Sequence, residues 1–262
     1  MNSRYELLTS RTNPKIREAA ALLQPAARRE TGRFLLEGLR LCADAAENGV
    51  EVETCFVSEA ALGRGDSRLA ALLGAAGRVY AVSDPVAEKL SDTRAPQGVF
   101  CVCKKKTESA RIVPDAFYVV TEDLQNPDNL GAASRTAEAL GAAGLVTAGG
   151  CDIYSPKALR ASMGALLRFP VLRTGSGAEA VALLRRRGYR VYAAVPHPGA
   201  ADVTEMEKGP GCAVVIGNEG NGVSEETLAV CDGSVRIPMK GRAESLNAAA
   251  AAAILIWEFT KG

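Results

Sequence analysis

The sequence contains few of the residues from which metal and disulfide sites are built. Its 262 residues include a single histidine, His197, and no Cys-x-x-Cys pair. The seven cysteines are an odd number, and several lie in apolar runs, which is typical of buried free thiols in a reducing compartment. Cys101 and Cys103 would share one face of a strand, but a metal there would need two further ligands. We therefore expect no metal site.

The sequence also lacks a long apolar run and an excess of charge of either sign. No stretch approaches 18 apolar residues free of charge, and Ala248–Ile256 is too short to cross a membrane. The first 20 residues carry no apolar run after their basic residues, unlike a secretory signal. We thus expect a cytoplasmic protein with no membrane partner. The net charge is +1, from 31 basic and 30 acidic residues, so overall charge does not indicate a nucleic-acid partner.

The composition is that of a globular protein, with an apolar fraction of 47% and a charged fraction of 23%. In the first half, short apolar runs alternate with segments of helical spacing; a predicted strand at 34–38, for example, runs into a helix at 39–47. This alternation predicts a compact α/β unit over 1–105. The polar segment 106–114 is the predicted linker, and a solvated loop inside one domain is the alternative.

The second half, 115–262, repeats this rhythm of strands and helices. The predicted strands span 117–122, 145–148, 171–173, 190–195, 213–216 and 234–237. The predicted helices span 132–140, 156–160, 178–187, 225–230 and 246–259. Parallel strands with crossover helices are expected, and such sheets bind ligands at the carboxyl ends of their strands.

The first of three polar segments, 125–135, follows a predicted strand and opens a helix. Asn126–Pro127 and Asp128–Asn129 supply turn and capping residues, so a well-capped helix alone would account for them. Arg135 differs, because it is the one long cation of a helix otherwise made of small residues. The segment alone leaves function and structure equally open.

The second segment, Gly217–Val223, joins a strand to a helix through three glycines, which let a backbone approach a ligand closely. It lacks the Gly-Lys-Ser/Thr ending of a phosphate loop, and Glu219 would repel a pyrophosphate. A carboxylate in such a loop suits a cationic or hydroxyl-bearing ligand. A tight turn with an exposed glutamate is the alternative.

The third segment, 237–247, leads into the Ala-rich helix predicted from Leu246. Ser245 is a predicted cap of that helix. Asn247 would then lie in the first turn, where it costs helix stability unless its amide has another partner. Ile237–Met239 offers an apolar backbone edge suited to an adenine ring.

Together the three segments resemble the motifs of the SpoU (TrmH-like) family of RNA 2′-O-ribose methyltransferases, within the SPOUT superfamily. The resemblance rests on Asn129, Gly131 and Arg135, on Gly217–Gly220, and on Ile237–Met239 with Ser245–Asn247. They occur in this order, each at a strand end. More weakly, the first half resembles the small ribosomal-protein-like domain that many members carry for RNA binding.

The resemblance implies a C-terminal α/β trefoil-knot domain preceded by a small ribosomal-protein-like α/β substrate-binding domain. It implies a homodimer that transfers a methyl group from S-adenosylmethionine to a ribose 2′-hydroxyl of structured RNA, with 23S rRNA favoured over tRNA. A tRNA enzyme is one alternative. A catalytically silent RNA-binding member is another, but it would be expected to lack Arg135 or Asn247. An unrelated small-molecule α/β enzyme is a third, although the chain lacks a phosphate loop, a dinucleotide fingerprint and a nucleophile elbow.

The family's functional residues carry over motif by motif. Arg135 would stabilise the developing ribose oxyanion, because a guanidinium is locked as a cation and makes a poor base. The implied catalytic set is Arg135, Asn129, Glu219, Ser245 and Asn247. The implied cofactor contacts are Ala194, Val195, Pro196, Gly217, Asn218, Glu219, Gly220, Ile237, Pro238, Met239 and Leu246. The implied RNA contacts, from a stretch of 40 residues with eight Arg or Lys against four Glu, are Arg11, Lys15, Arg28, Arg29 and Arg33.

Overall fold

The computed structural model describes residues 5–106, 111–206 and 208–261. These residues form two compact units, and the first contains the chain up to 106 together with Tyr154–Arg160. The second unit contains the remaining described residues. The predicted domain boundaries place residues 154–160 in the second domain, 115–262, whereas in the structure they pack with the first unit. Residues 107–110 of the predicted linker lie outside the described residues.

The first unit is built on a mixed five-stranded sheet with the order β1-β4-β3-β5-β2. Its strands are β1 (Leu7–Leu8), β2 (Arg33–Glu37), β3 (Val52–Ser58), β4 (Arg78–Val82) and β5 (Val99–Lys104). Its helices are α1 (Pro14–Ala21), α2 (Pro25–Thr31), α3 (Leu39–Glu47), α4 (Glu59–Leu62), α5 (Ser67–Ala75) and α6 (Asp84–Leu90). Strand β4 pairs in parallel with β1 and β3, whereas β5 is antiparallel to both β2 and β3.

Buried cysteines occupy one side of this sheet. Cys42 on α3 and the strand residues Cys55, Cys101 and Cys103 are free thiols with no solvent exposure. Burial raises the pKa of Cys42 and of Cys103, which keeps both thiols protonated. Among the described residues, no group of three or more His, Cys, Asp or Glu side chains is arranged to hold a metal ion.

Contacts of Tyr154 and Arg160 are among those that connect the second stretch, Tyr154–Arg160, to the rest of the first unit. The Tyr154 ring centroid lies 4.8 Å from that of Phe34. The Arg160 Nη2 atom lies 2.8 Å from Asp92 Oδ2. Tyr154 is buried, so this short stretch is part of the packed structure of the first unit.

The second unit has a seven-stranded sheet with the order β10-β12-β9-β11-β6-β7-β8. Its strands are β6 (Phe117–Glu122), β7 (Gly144–Ala148), β8 (Val171–Thr174), β9 (Arg190–Ala194), β10 (Ala201–Asp202), β11 (Cys212–Ile216) and β12 (Gly233–Arg236). Its helices are α7 (Pro127–Ala139), α8 (Pro156–Ala161, most of which belongs to the first unit), α9 (Ala165–Arg168), α10 (Gly177–Arg185), α11 (Glu225–Val230) and α12 (Ala248–Thr260). All pairings of this sheet are parallel, as the strand–helix alternation predicts.

Three departures from the predicted elements occur around the polar segments. Helix α7 begins at Pro127, five residues before the predicted start at 132, because Asn126 caps it by accepting a hydrogen bond from Asp128 N–H. Helix α12 begins at Ala248, and its N-cap is Asn247; the prediction of Ser245 as the cap is wrong. Strand β12 ends at Arg236, which leaves Ile237 outside the sheet. None of the described helices is long and apolar enough to span a membrane.

Candidate active site at the carboxyl edge of the parallel sheet

Four neighbouring strands bring the predicted site segments to one edge. Strands β12, β9, β11 and β6 are adjacent and parallel, so their carboxyl ends lie side by side. The segment 237–247 follows β12, Val195 follows β9, Gly217 follows β11, and α7 follows β6 after a short turn. This is the edge at which parallel α/β sheets bind ligands.

The glycine loop after β11 is closed on itself. Asn218 and Gly222 exchange two backbone hydrogen bonds, each 2.9 Å from nitrogen to oxygen. The Asn218 Oδ1 atom accepts from Gly220 and Asn221 N–H at 2.9 and 3.0 Å. A Cβ atom at Gly217 would lie 2.1 Å from the Gly222 carbonyl carbon. The loop's own backbone therefore requires glycine at 217, in addition to any approach by a ligand.

Glu219 connects this loop to the first polar segment. Its Oε2 accepts from Gln125 N–H at 3.0 Å, and its Oε1 accepts from Asn126 N–H at 3.0 Å and from Asn129 Nδ2 at 2.9 Å. Partial burial acts to raise the pKa of Glu219, but hydrogen bonds led by that from Gln125 outweigh it and lower the pKa. Three donors of the chain engage the two oxygens of this exposed carboxylate, so Glu219 has a structural role, and its contact with a ligand stays a prediction.

Asn247 completes a chain of side-chain amides across all three segments. Its Oδ1 caps α12 by accepting from Ala249 and Ala250 N–H at 2.9 and 3.3 Å, while its Nδ2 donates to Asn129 Oδ1 at 3.1 Å. The sequence had indicated that the Asn247 amide needs a partner, and Asn129 is that partner. Ser245 is exposed, and within the described part of the chain its side chain makes no hydrogen bond. We call Asn247, Asn129 and Glu219 the amide–carboxylate relay.

Arg135 is held in place by its helix and not by its own contacts. Helix α7 is fixed by buried residues that include Asn129, Leu130 and Ser134, which are 6%, 2% and 0% exposed. Arg135 itself is exposed, and among residues 5–106, 111–206 and 208–261 its guanidinium has no hydrogen bond or ion pair. The cation is therefore available to a ligand.

The segment from Ile237 to Leu246 has the main-chain properties that a backbone-bound nucleoside requires. Within the described residues, its N–H and C=O groups take part in no backbone hydrogen bond. Ile237 and Met239 are half-buried beside it, and Leu246 is 38% exposed. Free backbone donors and acceptors next to apolar side chains suit an adenine ring, so the residues present fit S-adenosylmethionine. Ala194, Val195 and Pro196 lie at the end of the neighbouring β9.

The predicted RNA contacts divide into free and engaged side chains. Arg28 is 2% exposed and donates from Nη1 to the carbonyls of Leu22 and Leu23 at 2.8 and 2.9 Å. It secures the end of α1, so the prediction that it contacts RNA is corrected. Two of the predicted contacts are engaged within the chain: Arg33 Nε lies 2.7 Å from Glu53 Oε2, and Lys15 Nζ lies 4.9 Å from the Tyr80 ring centroid. Arg11 and Arg29 are exposed and form no ion pair with the described residues.

Sequence reasoning missed one buried carboxylate beside this edge. Glu122, the last residue of β6, is 8% exposed and accepts hydrogen bonds from Ser224 and Thr227. The available signal was an acidic residue at the end of the mostly apolar run Phe117–Glu122. A charged residue that ends a buried strand is costly unless it is paired.

A parallel sheet with a glycine loop and a polar relay at its carboxyl edge, and an unpaired arginine on the helix that leaves this edge, defines a ligand-binding α/β domain. The model of the SpoU rRNA Methylase family matches residues 116–257, and that of the MRM3-like substrate binding domain matches residues 13–101. The chain belongs to the SpoU rRNA methylase family. The predicted family and the predicted arrangement of a substrate-binding domain before an α/β methyltransferase domain are confirmed.

Relatives of known activity match nearly the whole chain. The 23S rRNA (guanosine(2553)-2′-O)-methyltransferase RlmP of Bacillus subtilis is 30% identical, over 95% of this chain and 97% of that protein. The 23S rRNA (uridine(2479)-2′-O)-methyltransferase of Streptomyces viridochromogenes is 31% identical, over 96% of this chain and 90% of that protein.

Two solved structures share the fold of this chain and contain AdoMet. The SpoU methyltransferase AviRb of Streptomyces viridochromogenes, in complex with AdoMet, superposes with a TM-score of 0.84 at 30% identity, over 95% of this chain and 97% of that one. The AdoMet-bound rRNA methyltransferase of Sinorhizobium meliloti has a TM-score of 0.85 at 29% identity, over 97% of each chain.

Proposed function

We propose that the protein transfers a methyl group from S-adenosylmethionine to a ribose 2′-hydroxyl of ribosomal RNA, with 23S rRNA as the favoured substrate. The observation that carries this proposal is the amide–carboxylate relay. Its hydrogen bonds connect all three family motifs, and its central residue, Asn129, lies on the same helix as Arg135. The preference for 23S rRNA over tRNA follows from the two relatives that act on 23S rRNA and match nearly the full chain.

The cofactor site in this proposal is mainly backbone. The residues that would hold S-adenosylmethionine are Gly217–Gly220 in the first part of the glycine loop, Ile237–Met239, Leu246, and Ala194–Pro196 at the end of β9. When bound, the cofactor supplies a methyl group on a positively charged sulfur. The closed loop and the free backbone groups of the segment 237–246 support this assignment.

Arg135 is the proposed catalytic residue. A ribose hydroxyl is a poor nucleophile at neutral pH and gains reactivity as negative charge develops on its oxygen. A guanidinium that already lacks a protein partner can stabilise that charge without giving up an existing bond. Glu219 makes a poor base, because burial acts to raise its pKa but hydrogen bonds led by that from Gln125 outweigh this effect and lower the pKa. An RNA phosphate beside Arg135 is the proposed acceptor of the hydroxyl proton.

The relay has a positioning role in this reaction. Asn129 lies on α7 six residues before Arg135, so its bonds to Glu219 and Asn247 fix the helix relative to the cofactor loop. Ser245 precedes Asn247 by two residues and does not join the relay, and a contact with the cofactor or the ribose is its proposed role.

A homodimer with knotted catalytic domains is the proposed assembly. Helix α12 presents Ile254 and Trp257, which are 39% and 54% exposed, on the face opposite its buried residues Leu255, Ile256 and Phe259. Three residues apart on a helix, these two side chains form one apolar stripe that a second copy would cover. Trp257→Glu should convert a dimer to a monomer in sedimentation equilibrium; a wild-type protein that sediments as a monomer would contradict the dimer.

The function is tested by methylation of RNA with radiolabelled S-adenosylmethionine. Total RNA from a strain that lacks the gene should accept label in 23S rRNA, at a 2′-O position found by mapping. Label in tRNA alone would establish the tRNA alternative. Cofactor binding in calorimetry without transfer to any RNA would establish the silent alternative. No binding at millimolar cofactor would overturn the proposal.

A further inference from the structure

Glu122 lies at the exit of the glycine loop, opposite the end that Glu219 secures. Its Oε2 accepts from Ser224 N–H at 3.0 Å, and its Oε1 accepts from the Ser224 and Thr227 hydroxyls at 2.8 and 2.6 Å. Ser224 is the N-cap of α11 and follows directly after the loop that ends at Val223. The carboxylate thus holds the point at which the loop becomes helix.

Two carboxylates join the same two segments in opposite directions. Glu219 extends from the loop to Gln125 and Asn126 after β6, whereas Glu122 extends from the end of β6 to the exit of the loop. A further hydrogen bond connects the same two segments: Asn218 Nδ2 in the loop donates to the Asp123 carbonyl oxygen at 2.9 Å. The loop is therefore fixed to β6 near its start and at its exit.

The Glu122 carboxylate has little freedom to move away. Gly177, the first residue of α10, packs against it so closely that a Cβ atom there would lie 2.3 Å from Glu122 Oε1 and 2.5 Å from Thr227 Oγ1. Three hydrogen bonds on one side and a backbone on the other define one position for the side chain. A carboxylate with charge-assisted bonds to a backbone N–H and two hydroxyls is a strong tether.

We propose that Glu122 is a positioning residue that holds the glycine loop in its cofactor-binding shape before the cofactor arrives. This inference rests on the proposed cofactor site at Gly217–Gly220. Glu122 does not touch the cofactor in this account and acts through Ser224 and the loop. When only a fraction of molecules has the competent loop, the apparent dissociation constant rises in inverse proportion to that fraction.

The test compares Glu122→Gln with Glu258→Gln in the full-length protein. Glutamine keeps the shape of Glu122 but replaces one acceptor oxygen with an NH2 group. Glu258 is an apt control, because it is also a carboxylate that is 8% exposed in the same unit, but it pairs with Lys208 and Lys261 at the end of α12. Two quantities are measured: amide exchange of residues 217–224 without cofactor, and cofactor affinity by calorimetry.

We expect Glu122→Gln to speed exchange of the loop amides at least tenfold and to weaken cofactor binding about tenfold. Glu258→Gln should lower the melting temperature and change neither quantity. Thr227→Val, which removes one donor to the same carboxylate, should shift both quantities in the same direction. The double variant should bind the cofactor no more weakly than Glu122→Gln alone, because both changes remove the same contact.

Wild-type exchange rates and affinity in Glu122→Gln would overturn the inference, and so would effects that match those of Glu258→Gln. If Glu122→Gln does not fold, Thr227→Val decides by the same two measurements. If the wild-type protein binds no cofactor, the proposed function fails, and the exchange rates still decide whether Glu122 holds the loop.

Discussion

Replacing Asn247 with aspartate should separate the two bonds that its side chain makes. The Oδ1 atom caps α12 through the N–H groups of Ala249 and Ala250, and the Nδ2 atom donates to Asn129. Aspartate caps helices as well as asparagine does, and its charge is favoured at a helix N-terminus. Its side chain has no N–H, however, so it would place a carboxylate oxygen about 3.1 Å from the side-chain oxygen of Asn129.

The relay cannot absorb that change by rotating an amide. Asn129 donates its own Nδ2 to Glu219, so turning its amide to face the introduced carboxylate with N–H would place oxygen against the Glu219 carboxylate. One lost hydrogen bond is worth about 1 kcal/mol, and the added repulsion raises the cost to about 1.5–3 kcal/mol at Asn129. If the relay positions Arg135 in the transition state, methyl transfer should fall about 10–100-fold.

Measurements of Tm and of the methyl-transfer rate together show whether the bond from Asn247 to Asn129 is needed. Asn247→Ala loses both the cap and the bond to Asn129, about 1 kcal/mol each, and should lower Tm by about 4–8 °C. Asn247→Asp keeps the cap but carries the cost of about 1.5–3 kcal/mol at Asn129, so Tm should fall by about 3–12 °C and methyl transfer should fall with it. An aspartate variant that methylates RNA at the wild-type rate would refute the reasoning, because the bond to Asn129 would then be dispensable.

Three further outcomes are expected. Arg135→Ala should bind the cofactor with unchanged affinity in calorimetry and lose at least about 100-fold in methyl transfer; retained activity would remove Arg135 from the catalytic role. Arg28→Met should lower Tm without changing RNA affinity, whereas Arg29→Ala should leave Tm unchanged and reduce the salt dependence of RNA binding by about one phosphate contact; the opposite pattern would restore Arg28 as an RNA ligand. Because the folded-state pKa of Glu219 is lowered, its contribution to stability is complete above the unfolded value of about 4.3 and is lost as pH falls through the folded value. The Tm difference between wild type and Glu219→Gln should therefore shrink below about pH 4, and a difference that is constant from pH 3 to 7 would contradict the role of the carboxylate.

Much of the secondary structure followed from local signals in the sequence. The run Phe117–Glu122 became β6 and the segment Glu225–Val230 became α11 within the predicted bounds, because an apolar run and a capping serine are local features. The family resemblance named Asn129, Glu219 and Asn247 as site residues, and in the structure their side chains are joined by hydrogen bonds; their roles in the reaction stay predictions.

What the sequence did not show depends on partners far along the chain. Glu219 is engaged by N–H groups 93 and 94 residues before it, and no local pattern indicates such contacts. Arg28 is one of several cations in a basic stretch, and only its burial against the end of α1 distinguishes it from Arg29. Ser245 and Asn247 are both good capping residues; Asn247 is the cap, and its further bond to Asn129, 118 residues before it, is not visible in the local sequence.

The return of the chain to the first unit at Tyr154–Arg160 has a consequence for how such proteins can be recombined. The chain passes from one unit to the other after 106, before 154 and again after 160, so no single junction separates them. A chimera that exchanges only residues up to 106 would give Tyr154 a foreign partner in place of Phe34, and Arg160 one in place of Asp92. A transplanted substrate-binding domain therefore has to bring its own version of this seven-residue stretch, as a second and separate graft.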